Sequence, residues 1–269
     1  MKSLVLKFGG ASVATPQSFE AVAAIITQRS YIYDRIVVVV SAMGDSTNKL
    51  LELSKQVHPN PPKRELDMLV SVGERISISL LAMALSLKGR EAISFTGSQS
   101  GIITSNHHTE AKIVDVRPHR ILAELQQKKI VIVAGFQGVS RLGEITTLGR
   151  GGSDTSAVAL GVALKAEKVE FFKDVKGVYS EDPKKNSEAI FYKELSYEKA
   201  LEIMNKGSKV LHARAVSLAQ KNSLPLHILS FHDFNNENME GTFIKCFDSS
   251  SSQEIQLYEE EDGLNAIHG

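Results

Sequence analysis

The residues that could do chemistry gather in a few short runs. Lys7-Phe8-Gly9-Gly10 ends an apolar stretch near the start of the chain. Two glycines let backbone N–H groups approach an anion and the lysine adds a point charge, a pairing that suits phosphate. A tight turn after a strand, with a solvated lysine, uses the same residues. Ser41 to Asn48 reads SAMGDSTN, and its N–H and O–H groups could receive a carboxylate or simply cap a helix. Gly73-Glu74-Arg75 stands inside a helical stretch, where glycine costs ~1 kcal/mol relative to alanine. That cost points to a close approach there and sets Glu74 to meet an amine; an exposed Glu-Arg pair on a solvated face is the alternative.

The densest run is TTLGRGGSDTS at residues 146 to 156. Glycines, an arginine and Ser/Asp/Thr ahead of an apolar helix make an anion-receiving helix N-terminus with an added acid. It is not the dinucleotide fingerprint, because Asp154 stands where that pattern has its last glycine, and the glycine-lysine-serine/threonine end of a P-loop does not occur. Residues 171 to 184 close a strand into a lysine-rich loop with Tyr179, suited to a purine nucleotide or to solvent. Lys206 to His212 places Lys209 near another helix start, with His212 packing or capping rather than catalysing.

These runs fall at the ends of alternating elements. Strands are expected at Ser3–Phe8, Arg35–Ser41, Ala92–Phe95, Lys129–Ala134, Lys168–Lys173 and Pro225–Ser230. Between them, the 3.6-residue spacing predicts helices at Pro16–Arg29, Arg64–Leu87, Glu110–Gln127, Thr155–Lys165 and Tyr197–Lys221, the last divided at Gly207. Ile36 to Val40 is apolar on both faces, as in a covered parallel strand. The alternation predicts an α/β fold with a central, mainly parallel sheet and helices on both faces. Ligands of such sheets sit beyond the carboxyl ends of the strands, where the runs lie.

Composition excludes several classes. Thirty-one basic and 31 acidic residues cancel, which argues against nucleic acid or a membrane surface as partner. The absence of Trp leaves little for an aromatic stacking platform. A single cysteine, Cys246, makes no internal disulfide, and with no signal-peptide pattern or long apolar run a cytoplasmic setting is expected.

In this order the runs resemble the aspartate kinases of the amino-acid kinase superfamily: KFGG (7–10), VSAMGDSTN (40–48), GER (73–75), GFQG (135–138), TTLGRGGSDTSA (146–157), DVKGVYSEDP (174–183) and GSKVLH (207–212). The resemblance runs from residue 2 to about 244. It implies the three-layer αβα sandwich of the amino-acid kinase (carbamate kinase-like) fold and phosphorylation of the L-aspartate side chain by ATP with Mg²⁺, in a cytoplasmic homodimer. By the same resemblance Lys7 and Lys209 flank the transferring phosphoryl group, Gly9 and Gly10 donate N–H groups to it, and Asp154 holds the two lysines. Ser41, Thr47, Glu74, Arg150 and Ser153 form the aspartate pocket. Lys173, Asp174, Tyr179, Lys184, Lys209 and Val210 form the ATP side; no residue is assigned to a metal.

The implied catalytic unit spans residues 1–245, with an aspartate-binding lobe to about 145 and an ATP-binding lobe from about 146. Residues 246–269 are expected to be a solvated tail or the start of a regulatory ACT region, so feedback inhibition by the usual site is not expected. Ala11, Lys173, Lys206 and Ala213 depart from the family's usual residues. None of the four removes a charged group assigned to phosphoryl transfer. A kinase for glutamate or acetylglutamate and a non-catalytic nucleotide-binding subunit are the competing readings.

Overall fold

The β-branched runs pair into one large sheet. The computed structural model describes residues 1–183, 185–233, 240–247 and 256–259. Its strands are β1 (Ser3–Phe8), β2 (Arg35–Val40), β3 (Ala92–Phe95), β4 (Ile102–Thr104), β5 (Ile113–Val116), β6 (Ile130–Ala134), β7 (Gln137–Ser140), β8 (Ile145–Thr147), β9 (Lys168–Lys173), β10 (Val178–Tyr179), β11 (Phe191–Tyr192), β12 (Glu194–Leu195), β13 (Leu226–Ser230) and β14 (Gly241–Ile244). The helices are α1 (Ser18–Arg29), α2 (Ser46–Val57), α3 (Lys63–Val70), α4 (Val72–Leu87), α5 (His119–Gln126), α6 (Gly152–Ala163), α7 (Tyr197–Asn205) and α8 (Ala213–Lys221). The main sheet runs β12-β14-β13-β9-β1-β2-β6-β3, parallel from β13 to β3, with β14 antiparallel to β13.

The pleat sorts each strand's side chains into two cores. Leu4, Leu6, Phe8, Val38, Val40 and Ile132 meet α1 and α4. Val5, Val37, Val39, Val133, Val169 and Phe171 meet α5 to α8 on the other face. Successive residues of a strand point to opposite faces, so a strand covered on both sides must be apolar throughout. This is the expected αβα sandwich. The chain leaves β1 toward β2 on one side and returns to β9 on the other, which makes the end of β1 a switch point.

Three elements differ from the sequence reading. The stretch from residue 64 to 87 is two helices, α3 and α4, that meet at Ser71. Together Lys63–Leu87 is apolar and long enough to cross a membrane by composition, but Ile78, Leu81 and Leu85 of α4 are core residues of this domain. The stretch from 110 to 127 begins instead with strand β5, which pairs with β4, and Pro118 then heads the shorter α5. Strands β5-β4-β7-β8 form a second sheet of three- and four-residue strands, too short for alternation to reveal.

The tail also differs where it is described. Of residues 256–259, Gln256 and Leu257 are exposed while Tyr258 packs on the core, and the segment is tied back to the domain: Leu257 N–H donates to Asn222 Oδ1 at 2.9 Å, and Asn222 Nδ2 donates to Leu257 O at 2.7 Å.

Candidate active site

A cleft of about 550 Å³ opens at the carboxyl ends of β1 and β2, between the first turns of α2, α4 and α6. Strand pleating decides which charges gather beside it. Lys7 follows Val5 by two residues and Lys173 follows Phe171 by two; Val5 and Phe171 both face α6. The two lysines therefore project on the α6 side, where Asp154 occupies the first turn of that helix. Lys7 Nζ lies 2.5 Å from Asp154 Oδ1, and Lys173 Nζ lies 3.1 Å from Oδ2. Burial alone raises the Asp154 pKa, but the two ammonium groups outweigh it and hold the carboxyl down to about 2. Burial, then the charge of Lys7, pulls Lys173 down to about 8 against the opposing pull of Asp154. The cluster is a carboxylate shared by two cations, one of which gives up its proton at mildly alkaline pH.

On the opposite wall stands Glu74, 2% exposed. A Cβ on Gly73 would lie 2.7 Å from Ala42 Cβ, so α4 reaches this close to the 41–44 turn only with glycine at that position. The contact lets Glu74 Oε1 accept from Ala42 N–H at 3.1 Å. Its other oxygen, Oε2, is buried without a partner. Desolvation raises the Glu74 pKa to about 7, with hydrogen bonds from its own N–H and that of Ala42 pulling the other way. A buried carboxylate with one open oxygen is a seat for a cation.

The floor is the glycine-rich turn into α6. Gly151 caps the helix at φ +73°, a left-handed conformation that disfavours a side chain, and a Cβ there would lie 2.3 Å from His212 Cβ. His212 thus packs over the turn, and its side chain caps α8 by accepting from Arg214 N–H at 3.4 Å.

The amino acid kinase family profile matches residues 2–230. The chain belongs to the amino acid kinase family. Among its relatives, the aspartokinase of Geobacillus stearothermophilus is 49% identical over 245 residues, covering 91% of this chain and 59% of that one. The crystal structure of aspartate kinase from Synechocystis superposes with a TM-score of 0.79 at 44% identity, over 90% of this chain and 40% of the other. E. coli aspartokinase III in complex with aspartate and ADP gives a TM-score of 0.81 at 26% identity, over 91% of this chain and 64% of that one. The chain therefore spans about three fifths of the length of the curated relatives it matches.

In this member of the amino acid kinase family, Ser41, Thr47, Glu74, Arg150 and Ser153 line one cleft together with Lys7, Gly10 and Asp154. Gly9 adjoins it, the site of its absent Cβ being 3.7 Å from Lys7 Nζ. The exposed-pair reading of Glu74 fails, since that side chain is buried. The second lysine on Asp154 is Lys173, because β9 pairs directly with β1, whereas Lys209 is exposed in the connection between α7 and α8. Asp174 is exposed, Tyr179 packs against Phe191 with ring centroids 5.2 Å apart, and Val210 packs on the core. None of Lys173, Lys209, Asp174, Tyr179 or Val210 is among the cleft-lining residues, and Lys173 meets the cleft only through Asp154. Lys184 lies outside the described residues.

The sequence reading missed Asp67, which is fully buried. Its carboxylate accepts from Thr147 Oγ1 and from Thr109 N–H at 3.1 Å, and pairs with His108 Nδ1 at 2.7 Å. Thr147 and Thr109 both line the cleft. The available signal was position: Asp67 is three residues before buried Val70 and seven before Glu74, on the inward face of the helical stretch.

Proposed function

We propose that this domain is an ATP:L-aspartate 4-phosphotransferase that forms 4-phospho-L-aspartate and ADP, the step that opens the route to lysine and diaminopimelate, threonine and methionine. The observation that carries this reading is the pairing, across one cleft, of the open oxygen of Glu74 with the Lys7–Asp154 cluster. An amino acid needs a seat for its ammonium group, and a transferring phosphoryl group needs positive charge. Its relatives include aspartokinases, and a solved relative binds aspartate and ADP.

The substrate's side-chain carboxylate is ionised at neutral pH and attacks the γ-phosphorus, displacing ADP, so the site needs alignment and charge neutralisation rather than a general base. Glu74 takes the α-ammonium group. Arg150 pairs with the α-carboxylate in a fork geometry, while Ser41, Thr47 and Ser153 hydrogen-bond the substrate. Lys7 and the N–H groups of Gly9 and Gly10 hold the γ-phosphoryl group, and Asp154 keeps Lys7 and Lys173 in place before nucleotide arrives. Lys209, Asp174, Tyr179, Lys184 and Val210 serve the nucleotide side. Magnesium fits this site without a carboxylate cage. The described residues hold no group of three or more His, Cys, Asp or Glu placed to bind a metal, and Asp154 is already shared by two lysines. Magnesium dehydrates reluctantly and binds through phosphate oxygens and water; when bound it neutralises phosphate charge.

Incubation with ATP, Mg²⁺ and hydroxylamine tests the reading by trapping the acyl phosphate as a hydroxamate. Aspartyl hydroxamate is expected. Product from glutamate or acetylglutamate alone, or nucleotide binding without turnover, would replace it with one of the competing readings.

A further inference from the structure

Beside the cleft, one guanidinium ties four segments together. Arg214, in the first turn of α8, donates from Nη1 to Leu148 O at 2.6 Å and from Nη2 to Ala111 O at 2.7 Å. The same group pairs with Glu259, Nη2 to Oε2 at 2.7 Å and Nε to Oε1. Glu259 also clasps the edge of β5: its N–H donates to Ile113 O at 3.0 Å, and its Oε2 accepts from Ile113 N–H at 2.8 Å. Arg214 and Glu259 side chains are 22% and 13% exposed, so solvent weakens this pair less than it does a surface ion pair.

The place of Leu148 gives the clasp its meaning. It immediately precedes Gly149-Arg150-Gly151-Gly152, and Gly149 and Gly151 both have left-handed φ angles, +69° and +73°. Such glycines have little conformational preference of their own, so the turn takes its shape from what holds its flanks. Arg214 holds Leu148 O, and His212 packs over Gly151. Arg150 and Ser153, at the cleft, ride on that turn. The guanidinium is in turn held in plane by a carboxylate from the far end of the chain, in the fork arrangement that arginine makes and lysine does not.

We propose that Arg214 and Glu259 are positioning residues of the acidic-substrate site, the Glu259 fork fixing the guanidinium that anchors the glycine-rich turn carrying Arg150 and Ser153. The identity of that substrate rests on the aspartate reading; the anchoring does not. The segment around residue 259 thus reaches the cleft through two side chains, without entering it.

Glu259→Gln in the full chain, beside the wild type and Glu259→Asp, tests this with steady-state kinetics and hydrogen exchange read by mass spectrometry. Glu259→Gln is expected to raise KM for aspartate about tenfold, with kcat and the ATP KM within about threefold. Amides of residues 148–153 should exchange faster while those of β1 and β2 keep wild-type protection. Glu259→Asp should restore part of the KM loss. Arg214→Lys, which keeps the charge but not the fork, should match Glu259→Gln. Unchanged KM and unchanged exchange at 148–153 would overturn the proposal, as would a loss spread over both KM values together with loosened core strands. A wild type that turns over no aspartate defeats the functional reading instead, and the exchange comparison still decides the clasp.

Discussion

Lys7 Nζ lies 2.5 Å from Asp154 Oδ1, a contact made by a strand end and a helix start that meet because β1 and α6 pack face to face. The pair fixes the Lys7 ammonium at the switch point of the sheet. On the proposed function, replacing Lys7 by alanine removes one preorganised electrostatic contact with the transferring group. It should lower kcat by more than ~100-fold and leave the circular dichroism spectrum unchanged, since Lys173 still neutralises Asp154. A loss of tenfold or less in the hydroxamate assay would remove Lys7 from phosphoryl transfer.

Glu74 gives the site an acid-side pH dependence. With its pKa near 7, half of the free enzyme carries a protonated Glu74 at neutrality, and that form cannot pair with an ammonium group. KM for aspartate should therefore rise about tenfold between pH 8 and pH 6 for a pKa near 7, and level off above pH 8. The effect on stability has the opposite sense. A folded pKa near 7 against an ordinary value of 4.5 means that Glu74 favours folding most below pH 4.5 and loses that contribution as pH rises through 7. Glu74→Gln should then raise KM most at pH 8, abolish its pH dependence, and raise Tm at pH 8 but not at pH 4. A pH-independent wild-type KM would show that Glu74 does not seat the amine.

The six parallel strands were legible because each is a β-branched or apolar run bounded by turn residues, and Ala92–Phe95 and Lys168–Lys173 match to the residue. The second sheet was not, since three residues such as Ile102–Thr104 carry no period. Within the site, Ser41, Thr47, Glu74, Arg150 and Ser153 were legible as a set because their motifs mark loop ends. The second lysine beside Asp154 in the structure is Lys173, where the resemblance pointed to Lys209. Motif resemblance names residue types, whereas pairing with Asp154 follows from pleat parity, and Val5/Lys7 beside Phe171/Lys173 carried that information. The tail clasp depends on contacts between residues 45 apart, which no local pattern encodes.

Lys173 supplies an alkaline-side test. Its pKa near 8 means that in the free enzyme its charge is lost as pH rises past 8, and with it, on the proposed function, the attraction for nucleotide phosphates. KM for ATP should climb between pH 7.5 and 9.5, roughly tenfold per unit at most above the pKa. Lys173→Arg, charged throughout this range, should flatten that climb. If the arginine variant keeps the wild-type alkaline limb, Lys173 is not the titrating group and does not contact the nucleotide.

Asp67 tests whether the cleft wall depends on a residue that touches no substrate. It gathers Thr147 Oγ1, Thr109 N–H and His108 Nδ1 from two separate segments onto α3. Asp67→Ala leaves these polar groups without their buried partner, at a cost of about 3 kcal/mol for hydrogen bonds to a buried charge. For a chain of this size that corresponds to a fall in Tm of roughly 5 °C. Asp67→Asn keeps one acceptor oxygen and should lose about half as much. Because Thr109 and Thr147 line the cleft, both variants should also raise KM for aspartate at temperatures well below their Tm. Calorimetry with kinetics at 15 °C separates the two effects: a lowered Tm with a wild-type KM would make Asp67 a stabilising residue alone.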